Sequence, residues 1–64
     1  MPNIIVKITA GRPAEQKREL VDVLTAGMVK VLDVAPESIT IHIEEYTLEN
    51  IAKGGKLFLD TRKK

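Results

Sequence analysis

The fold class predicted from the 64-residue chain is α/β. It is a β-α-β unit with two parallel strands, one long helix and a C-terminal β-hairpin, assembling into an oligomer. Three observations predict it. Two short stretches alternate apolar and polar residues, which is the period of a half-buried strand. Between them lies a run of about five turns with one apolar stripe at three- and four-residue spacing. A Gly-Gly pair near the end marks a tight turn. The whole chain, residues 1–64, is expected to form a single domain.

The first strand is read at Asn3 to Thr9, where Ile4, Val6 and Ile8 alternate with Asn3, Ile5, Lys7 and Thr9. Gly11 makes the turn that follows. Pro13 suits the first helical position, because its missing N–H costs nothing there. Leu20, Val21, Leu24, Met28, Val31 and Leu32 then form the apolar stripe. Glu15–Arg18 and Arg18–Asp22 are spaced to pair on the helix surface, worth about 0.2–0.5 kcal/mol each. Gly27 interrupts the helix propensity at a cost of about 1 kcal/mol relative to Ala, which either close approach of another element compensates or the helix simply tolerates. Val34-Ala35-Pro36-Glu37 connects to a second strand, in which Ile39, Ile41 and Ile43 alternate with Thr40, His42 and Glu44. Strand, long helix, strand in this order implies a right-handed crossover and parallel pairing. Leu48 to Ile51 fits a single helical turn. Gly54-Gly55, between Ala52-Lys53 and Lys56-Leu57-Phe58-Leu59, fits a hairpin.

Size and composition narrow the function classes. Hydrophobic residues make up 44% of the chain, with one Phe, one Tyr, no Trp and no Cys. So short a chain buries only about 60% of its unfolded surface, and here neither disulfides nor a cluster of metal ligands would staple it. An open sheet edge and an uncovered sheet face both invite another subunit. Ten Lys and Arg against nine Asp and Glu give a formal net charge of +1. With no aromatic platform for base stacking, nucleic-acid binding is not expected. The basic cluster Arg62, Lys63, Lys64 reads as a solvated terminus. The apolar runs are too short for a membrane span or a secretory signal, so a cytosolic location is expected.

Pro2 and Arg12 are the candidates for chemistry, against the plainer readings of a chance proline and an arginine extending from a loop into solvent. Initiator Met1 is trimmed when the next residue is small, and its loss turns Pro2 into a free secondary amine. An α-amino group titrates near neutral pH, where proton transfer is efficient. Arg12, just before Pro13, breaks a local rule: it cannot accept hydrogen bonds from the helix N–H groups and adds positive charge at the positive end of the dipole. Such violations concentrate at functional sites. A cation beside exposed helix N–H groups is a natural seat for a carboxylate.

The Pro2 start, Gly11-Arg12 leading into a helix, Glu15-Gln16-Lys17 in its first turns and the late Gly54-Gly55 together resemble the 4-oxalocrotonate (2-hydroxymuconate) tautomerase family across nearly the whole chain. The resemblance implies a tautomerase without cofactor or metal, acting on a small-molecule carboxylate. It implies dimers joining two sheets into one and three dimers forming a homohexamer. It implies the terminal proline as catalytic base, and at Arg12 the arginine that grips a substrate carboxylate from a neighbouring subunit. Two positions depart from the best-known members. Thr40 stands where they carry a second arginine, and Ile51 where they carry an aromatic that keeps the amine dry. The first change predicts slow turnover of a six-carbon 2-hydroxydienedioate and a smaller penalty for a monocarboxylate. The second is milder, since Ile also excludes water. A promiscuous relative performing hydration, decarboxylation or carbon–carbon addition, or a non-catalytic assembly subunit, is the alternative.

Other polar residues offer less. His42, the lone His, lies opposite the Ile stripe and reads as an outward or interface residue. Glu44 and Glu45 are strand neighbours pointing to opposite faces, so they form no carboxylate pair. Glu49 and Asn50 read as loop residues, and Ser38 as a turn or cap residue.

Overall fold

The computed structural model describes residues 1–61, so the basic tail Arg62, Lys63 and Lys64 lies outside the described residues. Strand β1 (Asn3–Thr9) leads into helix α1 (Ala14–Leu32), and a 3-10 turn (Pro36–Ser38) precedes strand β2 (Thr40–Tyr46). A second 3-10 turn (Leu48–Asn50) is followed by the short strands β3 (Ala52–Lys53) and β4 (Lys56–Leu57), and by a helical turn, α2 (Phe58–Thr61). β1 and β2 pair in parallel and flush, from Asn3 opposite Thr40 to Thr9 opposite Tyr46. β3 and β4 pair antiparallel. The fold is therefore the predicted β-α-β unit with a C-terminal hairpin.

Strand alternation assigns the two sheet faces. Ile4, Val6, Ile8, Ile41 and Ile43 are half-buried on one face. The other face carries Asn3, Ile5, Lys7 and Thr9 in register with Thr40, His42, Glu44 and Tyr46. The half-buried helix positions include Leu20, Val21, Leu24 and Met28, the middle of the predicted stripe. Its end differs: Val31 is 79% exposed and Leu32 is 49% exposed. A 19-residue helix is about 28 Å long, against about 23 Å for a seven-residue strand, so the helix outruns the sheet.

Local geometry corrects the sequence reading in several places. Pro13 is the N-cap rather than the first helical residue, with φ −69° and ψ 157°. Its carbonyl accepts the Gln16 and Lys17 amides at 3.1 and 3.4 Å, which is what an N-cap carbonyl does while its own backbone stays extended. Arg12 accordingly stands one position before the cap. At the other end Asp33 adopts φ 55° and donates its amide to the Val29 carbonyl at 2.9 Å. Asp tolerates this left-handed conformation better than most residues. Gly11 has φ 114°, a conformation that suits glycine in the turn out of β1. Gly54 and Gly55 both have positive φ, 62° and 82°, as a two-residue type I′ hairpin requires. The hairpin is shorter than predicted. The Phe58 amide donates to the Ile51 carbonyl at 2.8 Å, and the chain then coils into α2, where Thr61 Oγ1 reaches the Leu57 carbonyl at 3.5 Å.

Among the described residues no element approaches Gly27: a methyl group there would meet nothing within 4 Å. Of the two readings, simple tolerance is the one the described residues of a single chain fit. Nor do Glu15–Arg18 and Arg18–Asp22 pair. Among the described residues the ion pair is Lys17 Nζ to Glu45 Oε2 at 2.6 Å, joining α1 to the end of β2. Glu45 follows the Ile face and so meets a helix residue that i,i+4 counting within α1 does not consider.

Among the described residues, not one is fully buried. The chain exposes 5227 Å², whereas a folded monomer of 7.1 kDa exposes about 4,100 Å². Its radius of gyration is 15.1 Å against about 10.7 Å for a compact domain of this length. One helix over two strands is an open sandwich with half its filling missing.

Candidate active site

Pro2 precedes β1 and is half-buried. Its carbonyl accepts the Thr40 amide at 3.1 Å, so the start of β1 is tied to the start of β2. Thr40 itself is exposed on the open sheet face, opposite Asn3. Met1 is 93% exposed and makes a projecting end in front of Pro2.

Arg12 and Ile51 belong to the other end of the sheet. Seven residue steps separate Pro2 from Thr9, about 23 Å of extended strand. Arg12 lies beyond Thr9, past the Gly11 turn. It lines a cleft of about 330 Å³ with Val6, Ile8, Gln16, Lys17 and Leu20. Its Nη1 donates to Gln16 Oε1 at 3.4 Å, a long contact that leaves most of the guanidinium's five N–H groups open. Lys17 in the same cleft is engaged by Glu45. Ile51 lines a second cleft of about 540 Å³, with Lys7, Thr9, Tyr46, Asn50 and Phe58 among its walls. Ile8 is common to both clefts.

The four residues singled out in the sequence thus fall into two pairs. Pro2 and Thr40 share one end of the sheet, Arg12 and Ile51 the other, and one chain does not bring the pairs together. A second chain running antiparallel would set the Pro2 end of one against the Arg12 end of the other. Strand spacing along β1 carries this information once the parallel register is known; the sequence pattern alone does not give that register.

The remaining polar residues sort cleanly. Ser38 Oγ donates to the Ala35 carbonyl at 2.7 Å, a turn bond. Asn50 Nδ2 donates to Thr47 Oγ1 at 2.9 Å, which holds the second 3-10 turn although Asn50 also faces the larger cleft. His42 is exposed opposite Ile5 on the open face. Glu44 and Glu45 diverge: Glu45 meets Lys17, while Glu44 Oε1 accepts the Tyr46 hydroxyl at 2.7 Å. That hydrogen bond raises the Tyr46 phenol above its ordinary value, with desolvation and the Glu44 charge acting in the same direction. Lys7 and Tyr46, both lining the larger cleft, drew no attention in the sequence because each occupies an ordinary outward strand position. Among the described residues no group of three His, Asp or Glu side chains is placed to hold a metal ion, and no helix is long and apolar enough to cross a membrane.

Residues 2–61 match the family model described as tautomerase enzyme. The chain is 37% identical over 60 residues to the 2-hydroxymuconate tautomerase of Bacillus subtilis, covering 94% of this chain and 97% of that one. It superposes with a TM-score of 0.88 and 33% identity on a structure from work on the 4-oxalocrotonate tautomerase isozymes of Methylibium petroleiphilum, covering 94% of each chain. A heterohexamer 4-oxalocrotonate tautomerase from Chloroflexus aurantiacus is similar at 27% identity and a TM-score of 0.86, over 97% of this chain and all of that one.

Proposed function

The chain belongs to the tautomerase enzyme family, and we propose that it interconverts 2-hydroxydienoates and 2-oxo-enoates, with the Pro2 amine as general base after loss of Met1. The observation that carries this reading is the family match from residue 2 to residue 61, which includes Pro2 at its start and the open Arg12 guanidinium. The exposure of Met1 supports its removal.

The reaction moves one proton from oxygen to carbon. The neutral Pro2 amine takes the hydroxyl proton, the electron pair shifts along the conjugated chain, and a C=O bond forms as negative charge reaches carbon. The protonated amine then returns the proton to that carbon and is neutral again, so one base serves both steps. The amine must be unprotonated to begin. Enclosure between subunits and a neighbouring cation both disfavour the ammonium form. Arg12 holds the substrate carboxylate and stabilises charge that develops along the diene.

Because Pro2 and Arg12 lie at opposite ends of the sheet, the site is proposed to be shared between copies. The surplus of about 1,100 Å² of exposed surface supports assembly, since a standard interface buries about 800 Å² per partner. A homohexamer of three dimers is the assembly proposed, in keeping with the related heterohexamer. Sedimentation at micromolar concentration is expected to show no folded monomer. A stable monomer there would separate Pro2 from its arginine and end the shared-site reading.

The decisive experiment is to mix Met1-free protein with a 2-hydroxydienoate and follow conversion of enol to ketone by ultraviolet absorbance over a range of pH. Accumulation of the 2-oxo-enoate is expected. A hydrated or decarboxylated product would point instead to a relative using the same amine for other chemistry. No conversion of any kind would point to an assembly subunit.

A further inference from the structure

We propose that the flank of α1 formed by Val23, Gly27 and Val31 is a seam against the same flank of a second copy, with the two helices antiparallel and Gly27 leaving the notch that a facing valine fills. This rests on the reading that the site is shared between copies. It deepens that reading by naming the surface that joins the first pair.

The row stands out within one chain. Val23, Gly27 and Val31 recur at four-residue spacing, so they share one side of the helix. Val23 is 61% exposed and Val31 is 79% exposed, while a methyl group on Gly27 would meet nothing within 4 Å. The two valines stand about 12 Å apart along the helix axis, and Gly27 leaves the surface between them bare.

The position of the row in the fold says what covers it. Gln16 and Leu20 border the smaller cleft together with Val6 and Ile8 of β1. Steps of three or four residues lead from Gln16 through Leu20, Val23 and Gly27 to Val31, so the row continues the β1 side of the helix. Among the described residues β1 pairs only with β2, which leaves its other edge open on that same side. A second copy that pairs with this edge sets two two-stranded units side by side. With strands about 4.8 Å apart, the helices covering them lie about 10 Å apart, within packing distance. The exposed surface in excess of a compact monomer, about 1,100 Å², is enough for the roughly 800 Å² that each partner of a standard interface buries.

Charge gives the direction. Glu19, one turn before Val23, and Lys30, just before Val31, rim the row on its solvent side, and neither forms an ion pair among the described residues. Antiparallel helices bring Glu19 of each copy towards Lys30 of the other, whereas parallel helices set like charges together. A two-fold pair presents the same patch twice, and this patch complements itself.

The chain has no cysteine, so a single introduced one reports the seam directly. Met1-free Val23→Cys is expected to form a covalent dimer with a short bismaleimide, while Arg18→Cys, on the opposite flank, does not. Failure of Val23→Cys to cross-link, or equal cross-linking at both positions, overturns the proposal. Gly27→Leu adds bulk where one chain has room and replaces glycine with a better helix former, so the single chain is spared. It is expected to raise the concentration at which copies separate in sedimentation by about tenfold or more. An unchanged value overturns the proposal, and so does a monomeric parent, because the flank then faces a different molecule. Failure of the shared-site reading looks different: Val23→Cys still cross-links, but Gly27→Leu diluted to single chains keeps full enol-to-ketone conversion, or the parent gives no ketone.

Discussion

Protein that retains Met1 is expected to lose enol-to-ketone conversion almost completely, by about 10²–10⁴-fold, the usual worth of a positioned general base. With Met1 in place the Pro2 nitrogen is a tertiary amide, which neither accepts nor returns a proton at neutral pH. Removing Met1 restores a basic secondary amine at the same backbone position. Pro2→Ala, once Met1 is trimmed, keeps an amine but loses the ring that fixes its direction, so a smaller loss is expected. The pH profile gives an independent sign. The base works when neutral, so kcat/KM rises with pH through the amine's pKa, ordinarily about 7.7–8.0 and lower when enclosed beside a cation. In a Met1-retaining sample this rising limb is absent. Intact mass establishes the state of residue 1, and kcat/KM against pH reads the effect. Full activity in protein shown by mass to keep Met1 would rule out the Pro2 mechanism.

How much of this was legible in the chain depends on which forces act within one protomer. Alternation at Ile4, Val6, Ile8 and at Ile41, Ile43 set both strands, because one sheet face is covered by α1. Leu20, Val21, Leu24 and Met28 set the helix face for the same reason. Where covering stops, the pattern misled. Val31 belongs to the apolar rhythm, but the helix extends past the strands and leaves it open. The apolar rhythm of Leu57, Phe58 and Leu59 suits a strand, yet the hairpin ladder ends after Phe58 pairs with Ile51 and the chain coils. Gly54-Gly55 is legible in the sequence because positive φ at both positions is a backbone demand that no tertiary contact needs to enforce. The site divides along the same line. Pro2 and Arg12 are conspicuous by local chemistry. Their separation by the length of β1 follows from register.

Arg12→Ala is expected to reduce kcat/KM by about ten- to a hundredfold or more for mono- and dicarboxylate dienols alike, because both substrates share the carboxylate next to the reacting enol. A charge-assisted hydrogen bond is worth about 1.5–3 kcal/mol, and 1.36 kcal/mol is tenfold in rate. The loss falls on one interaction rather than on folding. Arg12 is exposed, precedes the helix cap and holds only a 3.4 Å contact to Gln16, so Ala in its place leaves the cap carbonyl of Pro13 untouched. Arg12→Lys keeps the charge but not the planar fork, and an intermediate loss is expected. Thr40→Arg provides the complementary test. Placed near Pro2, a new guanidinium should raise dicarboxylate turnover more than monocarboxylate turnover, because only a dicarboxylate has a second carboxylate to meet it. The measurement is kcat/KM for both substrate types in the parent, Arg12→Ala and Thr40→Arg. If Arg12→Ala leaves both values unchanged, Arg12 is a solvated loop residue and the carboxylate seat lies elsewhere. If Thr40→Arg changes kcat/KM alike for both substrate types, position 40 does not face the second carboxylate.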